Sequence, residues 1–233
     1  NLALTDKDRV LSVIAHDLKN PMFAIVGSLE GWLRREPEMG HEERRSIIVD
    51  VLKSSEVLQS EMSRLLEWAR AKKEQIDYKP SNVDLSSLLS NVVSLLSSVI
   101  LKKNIELKVV CDVEYCLWGD GRMMGTIFRN LVNNAVKFTR NGGRILVEAQ
   151  EEEQFVVVKI ADNGVGMTAE QLSKLKKDGF CVSSLGTDNE KGTGLGYRVC
   201  MDYIEKNKGS FDIESEEGVG TTIWIKLPKS SKK

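Results

Sequence analysis

The sequence predicts a helical hairpin that forms a dimeric four-helix bundle, followed by an α+β sandwich with a mixed sheet and helices on one face. Apolar residues recur at intervals of three and four through residues 11–32 and again through 48–69, which is typical of helices with one apolar seam. From about residue 78, strands and helices mix without regular βα alternation, which favours an α+β domain. With 233 residues, 41% of them hydrophobic, the chain can bury a core in one domain plus a smaller element.

The hairpin is predicted from two apolar seams separated by a break. Residues 37–40 contain both proline and glycine and therefore end the first helix. Two helices cannot fully cover both seams by themselves, so pairing with a second copy as a four-helix bundle is expected, and the chain is predicted to be a homodimer. The seams are Leu11, Ile14, Leu18, Met22, Ile25, Leu29 and Trp32, then Ile48, Val51, Ser55, Leu58, Met62, Leu65 and Ala69.

His16 is a candidate nucleophile on the first helix. It lies two positions from apolar seam residues on either side, about 200° around the helix, so it points away from the seam. Asp17 can accept a hydrogen bond from one ring nitrogen and leave the other free to react, while Asn20, one turn later, can hold a water molecule. Pro21 removes a backbone donor and favours a kink here. A surface histidine without a role is the alternative, and we interpret His41 in that way.

The second part contains the predicted α+β domain. Clusters of proline, glycine and asparagine separate segments in which apolar residues recur with the spacing of a helix or of a strand. An acidic turn at residues 151–153 joins two of the strands as a hairpin. Helices are predicted over residues 85–101 (capped by Asp84), 121–138, 195–206 and from about 168, and strands over 105–110, 115–118, 144–149, 155–161, 210–214 and 221–227.

Three polar residues on the predicted helix 121–138 are candidate ligand-binding groups. Asn130 and Asn134 lie four positions apart, so both amides project from one face, and Lys137 follows on the same flank. An amide oxygen suits magnesium, and a lysine one turn away can meet phosphate charge. An exposed polar face is the alternative, and taken alone this pattern favours it.

Two further motifs indicate a nucleotide site. Asp162 ends an apolar strand, where a charge is costly unless paired, and it can accept a hydrogen bond from an exocyclic amino group such as that of adenine. Gly164 and Gly166 allow a close backbone approach, although an ordinary strand-to-helix turn is the alternative. A glycine cluster then opens a helix, where backbone amides can face phosphates. Its residues are Gly192, Thr193, Gly194, Leu195 and Gly196.

Composition excludes several classes of function. A net charge of −1 gives no basic footprint, so nucleic acid is not an expected partner. The sequence has no run of 18 apolar residues, so we predict no membrane segment in this chain. None of the cysteines forms a Cys-x-x-Cys pair and no histidine lies near them in the sequence, so reduced core thiols in a cytoplasmic protein are expected. The cysteines are Cys111, Cys116, Cys181 and Cys200.

Taken together and in order, these motifs resemble the sensor histidine kinases of two-component signalling, over nearly the whole chain. The end of the chain, at Gly218-x-Gly220-Thr221, resembles the end of that family's catalytic domain. The motifs are His16-Asp17-x-x-Asn20-Pro21 for the H box, Asn130-x-x-x-Asn134-Ala135-x-Lys137-Phe138-Thr139 for the N box, Asp162-x-Gly164-x-Gly166 for the G1 box and Gly192-x-Gly194-Leu195-Gly196 for the G2 box.

The resemblance implies two domains and assigns roles to the motif residues. Residues 1–76 become a dimerisation and histidine phosphotransfer domain, and 77–233 a catalytic ATP-binding domain of the gyrase, histidine kinase and MutL superfamily. The implied cofactors are ATP and Mg²⁺. The implied roles are the phosphoacceptor for His16, acid/base partner for Asp17, metal ligand for Asn134 with Asn130 nearby, phosphate contact for Lys137, nucleotide contact for Phe138 and Thr221, and adenine recognition for Asp162.

The resemblance also implies an activity and partners. His16 would take the γ-phosphoryl group of ATP and pass it to an aspartate of a response regulator, with Asn20 orienting water in a reverse, phosphatase reaction. An upstream sensor domain is implied for the full-length protein, and this chain would be the cytoplasmic portion of a receptor that can be anchored in a membrane.

Departures from the family pattern leave two alternatives open. The family's F box is degraded, since Lys176 stands near the expected phenylalanine and Phe180 is displaced. A nucleotide-binding scaffold without kinase activity is therefore one alternative. A hydrolytic ATPase of the gyrase type is another, which Asn130 disfavours because such enzymes carry a water-activating glutamate at that position.

Overall fold

The computed structural model describes residues 2–35, 39–72, 77–111, 115–178, 186–188 and 195–230. It divides into two compact units, Asn1–Lys72 and Lys73–Lys233. The first unit consists of helices α1 (Leu2–Arg35) and α2 (His41–Lys72), which pack against each other. The predicted hairpin with a break at residues 37–40 is confirmed, and α1 continues as a helix through Pro21.

Helix α2 covers only part of the apolar side of α1. Leu18, Ile25 and Trp32 are half-buried, whereas another set of apolar side chains on α1 remains exposed. The exposed set follows intervals of four, three and four, which is a continuous stripe along one side of a helix. It consists of Met22, Val26, Leu29 and Leu33, beside which Phe23 is also exposed, and α2 adds the exposed Ile48, Val49, Leu52 and Met62. Among the described side chains, four residues of the predicted seams are therefore exposed in the single chain: Met22, Leu29, Ile48 and Met62.

The second unit combines four helices with seven strands in the described part of the chain. The four helices predicted for this unit are confirmed. Each predicted start or end lies within one residue of the observed one. The elements in chain order are β1 (Ser81–Asp84), α3 (Leu85–Lys102), β2 (Glu106–Val110), β3 (Cys116–Gly119), α4 (Gly121–Phe138), β4 (Arg144–Glu152), β5 (Phe155–Asp162), α5 (Ala169–Asp178), α6 (Leu195–Lys206), β6 (Ser210–Glu216) and β7 (Gly220–Pro228).

The main sheet has the strand order β2-β4-β5-β7-β6. Strands β2 and β4 are parallel and the other neighbours are antiparallel, which confirms the predicted mixed sheet. Strand β1 was not predicted, because its four residues are mostly polar and closely follow a proline. It pairs with β3 in a separate two-stranded sheet, so β3 lies outside the main sheet.

Helices α3, α4 and α6 form the layer that covers one face of the sheet. Alternate residues of the central strand β5, namely Val156, Val158 and Ile160, are buried on that face. Facing them, α4 contributes side chains that are almost fully buried, including Phe128 and Leu131. The opposite face of the sheet carries ion pairs such as Glu148 with Lys159 and Glu152 with Lys226.

Two aspartates begin helices in this layer. Asp84 accepts hydrogen bonds from the first turn of α3, as predicted, and Asp120 does the same for α4. Burial opposes ionisation of Asp120, but hydrogen bonds, including one from the backbone N–H of Lys79, outweigh it and lower the pKa of the carboxyl. The buried Asn207, at the end of α6, accepts from the backbone N–H of Asp120 at 2.8 Å and so joins α6 to the start of α4.

Helix α3 is long and apolar enough to cross a membrane by length and composition. Its side chains Leu85, Leu89 and Val92 are buried within the second unit, however. Core helices also meet such length and composition criteria, so this helix is weak support for a membrane segment.

Candidate nucleotide-binding site

Asp162 lies at the end of the central strand β5, on the face that the helices cover. Its Oδ1 accepts a hydrogen bond from the backbone N–H of Gly164 at 2.9 Å, and the backbone N–H of Thr221 on β7 also donates to the carboxylate. Burial raises the pKa of Asp162 to about 6, and the two hydrogen bonds reduce that rise. The carboxylate is thus fixed in orientation and is predominantly ionised at neutral pH.

The loop after Asp162 packs between the end of α4 and the β6–β7 turn. Val165 donates from its backbone N–H to the carbonyl oxygen of Phe138, the last residue of α4, at 3.1 Å. A Cβ at Gly164 would lie 2.4 Å from that same oxygen, so no larger residue fits. Gly166 has φ +64°, and a Cβ there would lie 1.9 Å from the carbonyl oxygen of Glu216. The predicted close backbone approach at both glycines is confirmed.

Helix α4 brings the three predicted polar residues to this loop. Asn130 and Asn134 are half-buried, rather than forming an exposed polar face. Lys137 is buried, with Nζ 4.8 Å from the centre of the Phe138 ring, within cation–π range. Because Phe138 contacts the loop after Asp162, the end of α4 and the end of β5 meet at one place.

The start of α6 also approaches α4. A Cβ at Gly196 would lie 3.2 Å from Oδ1 of Asn130, so the beginning of α6 lies beside this amide. Gly192, Thr193 and Gly194 fall outside the described residues, as does the side chain of Leu195. The predicted phosphate contact of this glycine cluster therefore stays a prediction.

Thr187 anchors the segment between α5 and α6 to the end of α4. Its backbone N–H donates to the carbonyl oxygen of Lys137 at 3.1 Å, and its hydroxyl shares one hydrogen between the carbonyl oxygens of Thr139 at 2.8 Å and Lys137 at 3.1 Å. Sequence reasoning missed this contact, since Thr187 stands in a polar stretch without periodicity.

The H-box residues lie in the other unit. His16 and Asp17 are within α1, but their side chains fall outside the description. Asn20 is exposed on the same helix. His41 is exposed at the first position of α2, in keeping with a surface histidine.

Two protein-family models match this chain. The model described as His Kinase A (phospho-acceptor) domain covers residues 6–74. The model described as Histidine kinase-, DNA gyrase B-, and HSP90-like ATPase covers residues 119–231. The first contains the hairpin with His16, and the second contains α4, Asp162 and the glycine motifs.

Curated relatives and a solved structure agree with both matches. Sensor histidine kinase RcsC of Escherichia coli strain K12 is 25% identical over 228 residues, which are 97% of this chain and 24% of RcsC. Sensor protein SrrB of Staphylococcus aureus strain N315 is 30% identical over 236 residues, which are 98% of this chain and 39% of SrrB. Histidine kinase ThkA, in complex with response regulator protein TrrA, shares the fold with TM-score 0.76 at 20% identity, covering 99% of this chain and 64% of ThkA. The chain thus spans well under half the length of RcsC and SrrB.

Proposed function

The chain belongs to the sensor histidine kinases, and on that premise we propose that it transfers the γ-phosphoryl group of ATP to His16 and then to an aspartate of a response regulator. Residues 1–76 form the dimerisation and phosphotransfer domain in this proposal, and 77–233 form the catalytic ATP-binding domain. The observation that carries the proposal is the half-buried, oriented carboxylate of Asp162 beside the helix that bears Asn134 and Lys137.

Adenine recognition is assigned to Asp162. An ionised carboxylate in a largely desolvated place forms strong hydrogen bonds with an N–H donor, and the exocyclic amino group of adenine is such a donor. Gly164 and Gly166 let the loop after Asp162 pack against the carbonyl oxygens of Phe138 and Glu216, and Thr221 holds the carboxylate from the neighbouring strand. Phe138, whose backbone carbonyl contacts the same loop, is assigned to the nucleotide as well.

Magnesium is assigned to the amide oxygen of Asn134, with Asn130 one turn away. Among the described residues there is no group of three or more histidine, cysteine, aspartate or glutamate side chains that could hold a metal. This donor set fits Mg²⁺, which is commonly held by few protein oxygens together with substrate phosphates. When bound, the cation supplies neutralisation of phosphate charge. Lys137 supplies a second positive charge from the same helix, and the glycine cluster of residues 192–196 is assigned to the phosphates as its sequence predicts.

The proposed transfer is a single displacement at phosphorus. One ring nitrogen of neutral His16 attacks the γ-phosphorus, an N–P bond forms, the bond to the β–γ bridging oxygen breaks, and ADP leaves. Asp17 accepts a hydrogen bond from the other ring nitrogen and stabilises the charge that develops there. In the second step, a regulator carboxylate oxygen attacks the phosphorus and the N–P bond breaks.

A homodimer is proposed because the hairpin leaves an apolar stripe exposed. Met22, Val26, Leu29 and Leu33 form a continuous seam of the kind that buries itself against another helix pair. A second copy of the hairpin offers the same seam, and pairing the two yields a four-helix bundle.

A reverse activity is proposed at the same hairpin. Asn20 is exposed one helical turn after His16 and can hydrogen-bond a water molecule. With Asp17, it would orient that water for attack on the phosphorylated aspartate of the regulator. The regulator would be released with inorganic phosphate as the other product.

The proposed partners follow from the family and from one relative. ThkA was solved in complex with a response regulator, and we propose that this chain likewise engages a receiver domain of that class. We also propose an upstream sensor domain in the full-length protein and a cytoplasmic location for the part described by this sequence.

The test is incubation with γ-labelled ATP and Mg²⁺, followed by acid and base treatment of the labelled protein. His16→Gln and Asn134→Ala should each abolish labelling, whereas His41→Gln, which changes the chain's other histidine, should label like the parent. A phosphohistidine should lose its label in acid and keep it in base.

Three other outcomes would contradict the proposal. Nucleotide binding without label would favour the non-catalytic scaffold. Phosphate release that persists in His16→Gln would favour a hydrolytic ATPase. Labelling that moves with His41 instead of His16 would overturn the assignment of the phosphoacceptor.

A further inference from the structure

Lys103 is buried at the corner where α3 ends and α4 ends. Its side chain is 1% exposed, which is unusual for lysine. Its Nζ donates to the carbonyl oxygens of Val136 and Lys137, each at 3.1 Å, in the last turn of α4. The burial of a lysine is unfavourable unless it finds partners, and these two carbonyls provide them.

The last carbonyls of an α-helix have no partners within the helix, and they form the negative end of its dipole. In α4 two groups from distant parts of the chain fill this need. Lys103 approaches from the end of α3, and Thr187 approaches from the segment before α6. A cationic side chain at this end also complements the helix dipole.

The two groups converge on one atom, the carbonyl oxygen of Lys137. It accepts hydrogen bonds from Nζ of Lys103 and from the backbone N–H of Thr187, both at 3.1 Å, and the Thr187 hydroxyl shares its one hydrogen between this oxygen at 3.1 Å and the carbonyl oxygen of Thr139 at 2.8 Å. Lys137 is also the residue whose side chain is assigned to the phosphates. Because the carbonyl oxygen of Lys137 lies in the last turn of α4, groups from two other segments of the chain supply its hydrogen bonds instead of the helix itself.

We propose that Lys103 is a positioning residue for the nucleotide site, which acts with Thr187 through the carbonyl oxygen of Lys137 to hold the Lys137 side chain toward the nucleotide phosphates. This inference rests on the proposed function. Without Lys103 the final turn of α4 loses a donor that water cannot easily replace in a buried corner, and the turn frays. A shift of about 1 Å in a charged group suffices for a loss of up to a hundredfold in a catalytic site.

The test compares the affinity for ATP with that for adenosine in the full chain. Lys103→Met keeps the length of the side chain but removes its donors. It should weaken ATP binding at least tenfold while adenosine, which lacks phosphates, changes less than twofold. Lys103→Arg should recover most of the loss because it restores donors, and Lys108→Met, which changes an exposed lysine on β2, should match the parent.

A purely structural role predicts a different pattern. General loosening of the domain would weaken ATP and adenosine by the same factor, and that result would overturn the proposal. If Lys103→Met does not fold, Thr187→Val decides the matter, because it removes only a hydroxyl from a half-buried side chain. Selective loss of ATP in Thr187→Val, with recovery in Thr187→Ser, supports the proposal, and equal loss of both ligands contradicts it.

A double-mutant cycle tests the shared atom. If both residues act through the Lys137 carbonyl, the losses from Lys103→Met and Thr187→Val should be clearly non-additive. Additive losses would exclude a common route. Failure of the proposed nucleotide site looks different, since the parent chain would then bind neither ATP nor adenosine, and failure of the kinase step alone leaves both affinities measurable while labelling is absent.

Discussion

Replacing Asp162 with asparagine should stabilise the second unit at alkaline pH while it weakens nucleotide binding. The carboxyl is largely buried, and its pKa is raised from 3.8 to about 6. A raised carboxyl pKa means that the folded state prefers the protonated form. The stability from this preference is fully present below the unfolded-state pKa and is lost as the pH rises through about 6.

The magnitude follows from the linkage between proton binding and folding. An increase in pKa from 3.8 to about 6 corresponds to roughly 3 kcal/mol of unfolding free energy that is lost between low pH and pH 8. Asparagine does not ionise, so it avoids this loss. Its amide has one accepting oxygen where the carboxylate has two, however, and the loss of one hydrogen bond from a backbone N–H costs about 1 kcal/mol. We therefore expect Asp162→Asn to be about 1–2 kcal/mol more stable than the parent at pH 8.

Urea unfolding without nucleotide, at pH 8 and pH 4.5, measures this effect. Trp118 and Trp224 lie in the second unit, so a background with Trp32→Phe and Trp68→Phe lets fluorescence report on that unit. The advantage of Asp162→Asn should fall by about 2 kcal/mol between pH 8 and pH 4.5, because the parent carboxyl regains its proton in the folded state.

Nucleotide affinity should move in the opposite direction. The variant loses a charged hydrogen-bond acceptor, which is worth about 1.5–3 kcal/mol and so weakens ATP binding by roughly ten- to hundredfold. A variant that is no more stable than the parent at pH 8, or whose advantage is equal at both pH values, would refute the account of a buried, ionised carboxylate.

Three further predictions follow from packing. Gly166→Ala should destabilise the second unit much more than Gly218→Ala does. Both glycines have positive φ, but of the two only Gly166 lacks space for a Cβ. Equal effects in thermal unfolding would argue against the close approach of Gly166 to the carbonyl oxygen of Glu216. Asn207→Ala should cost about 1–3 kcal/mol in urea unfolding because it leaves buried partners unpaired, and an unchanged midpoint would show that the amide bridge contributes nothing. Val26→Glu places a charge in the exposed apolar stripe of α1, so it should shift the chain toward monomers in light scattering and remove labelling on histidine. The control Glu30→Gln should stay dimeric. A dimeric Val26→Glu would exclude this stripe as the interface.

Features with local causes could be predicted from the sequence. The seams of the hairpin, the start of α3 after Asp84 and the bounds of α4 all depend on neighbours within a few positions. The spacing of Asn130 and Asn134 placed both on one face of α4 for the same reason. Asp162 was identified because a charge at the end of an apolar strand needs a partner.

Other features depend on residues that are distant in sequence. Strand β1 forms because β3 supplies its hydrogen bonds, with Ser81 paired to Gly119 and Asp84 to Cys116, while its own residues give no strand signal. Lys103 follows a long apolar helix and would be taken as a solvent-exposed lysine. No periodicity in its surroundings indicates that it is buried.

The sequence by itself determined which residue types could bind nucleotide and which helix or strand carries each of them. Only the tertiary structure decided which polar groups are buried and what they contact. Asp162 acquires its raised pKa from burial, and Lys103 and Thr187 reach one carbonyl oxygen from 34 and 50 positions away. Desolvation and hydrogen-bond partners are set by neighbours in space, and helical or strand periodicity carries no information about them.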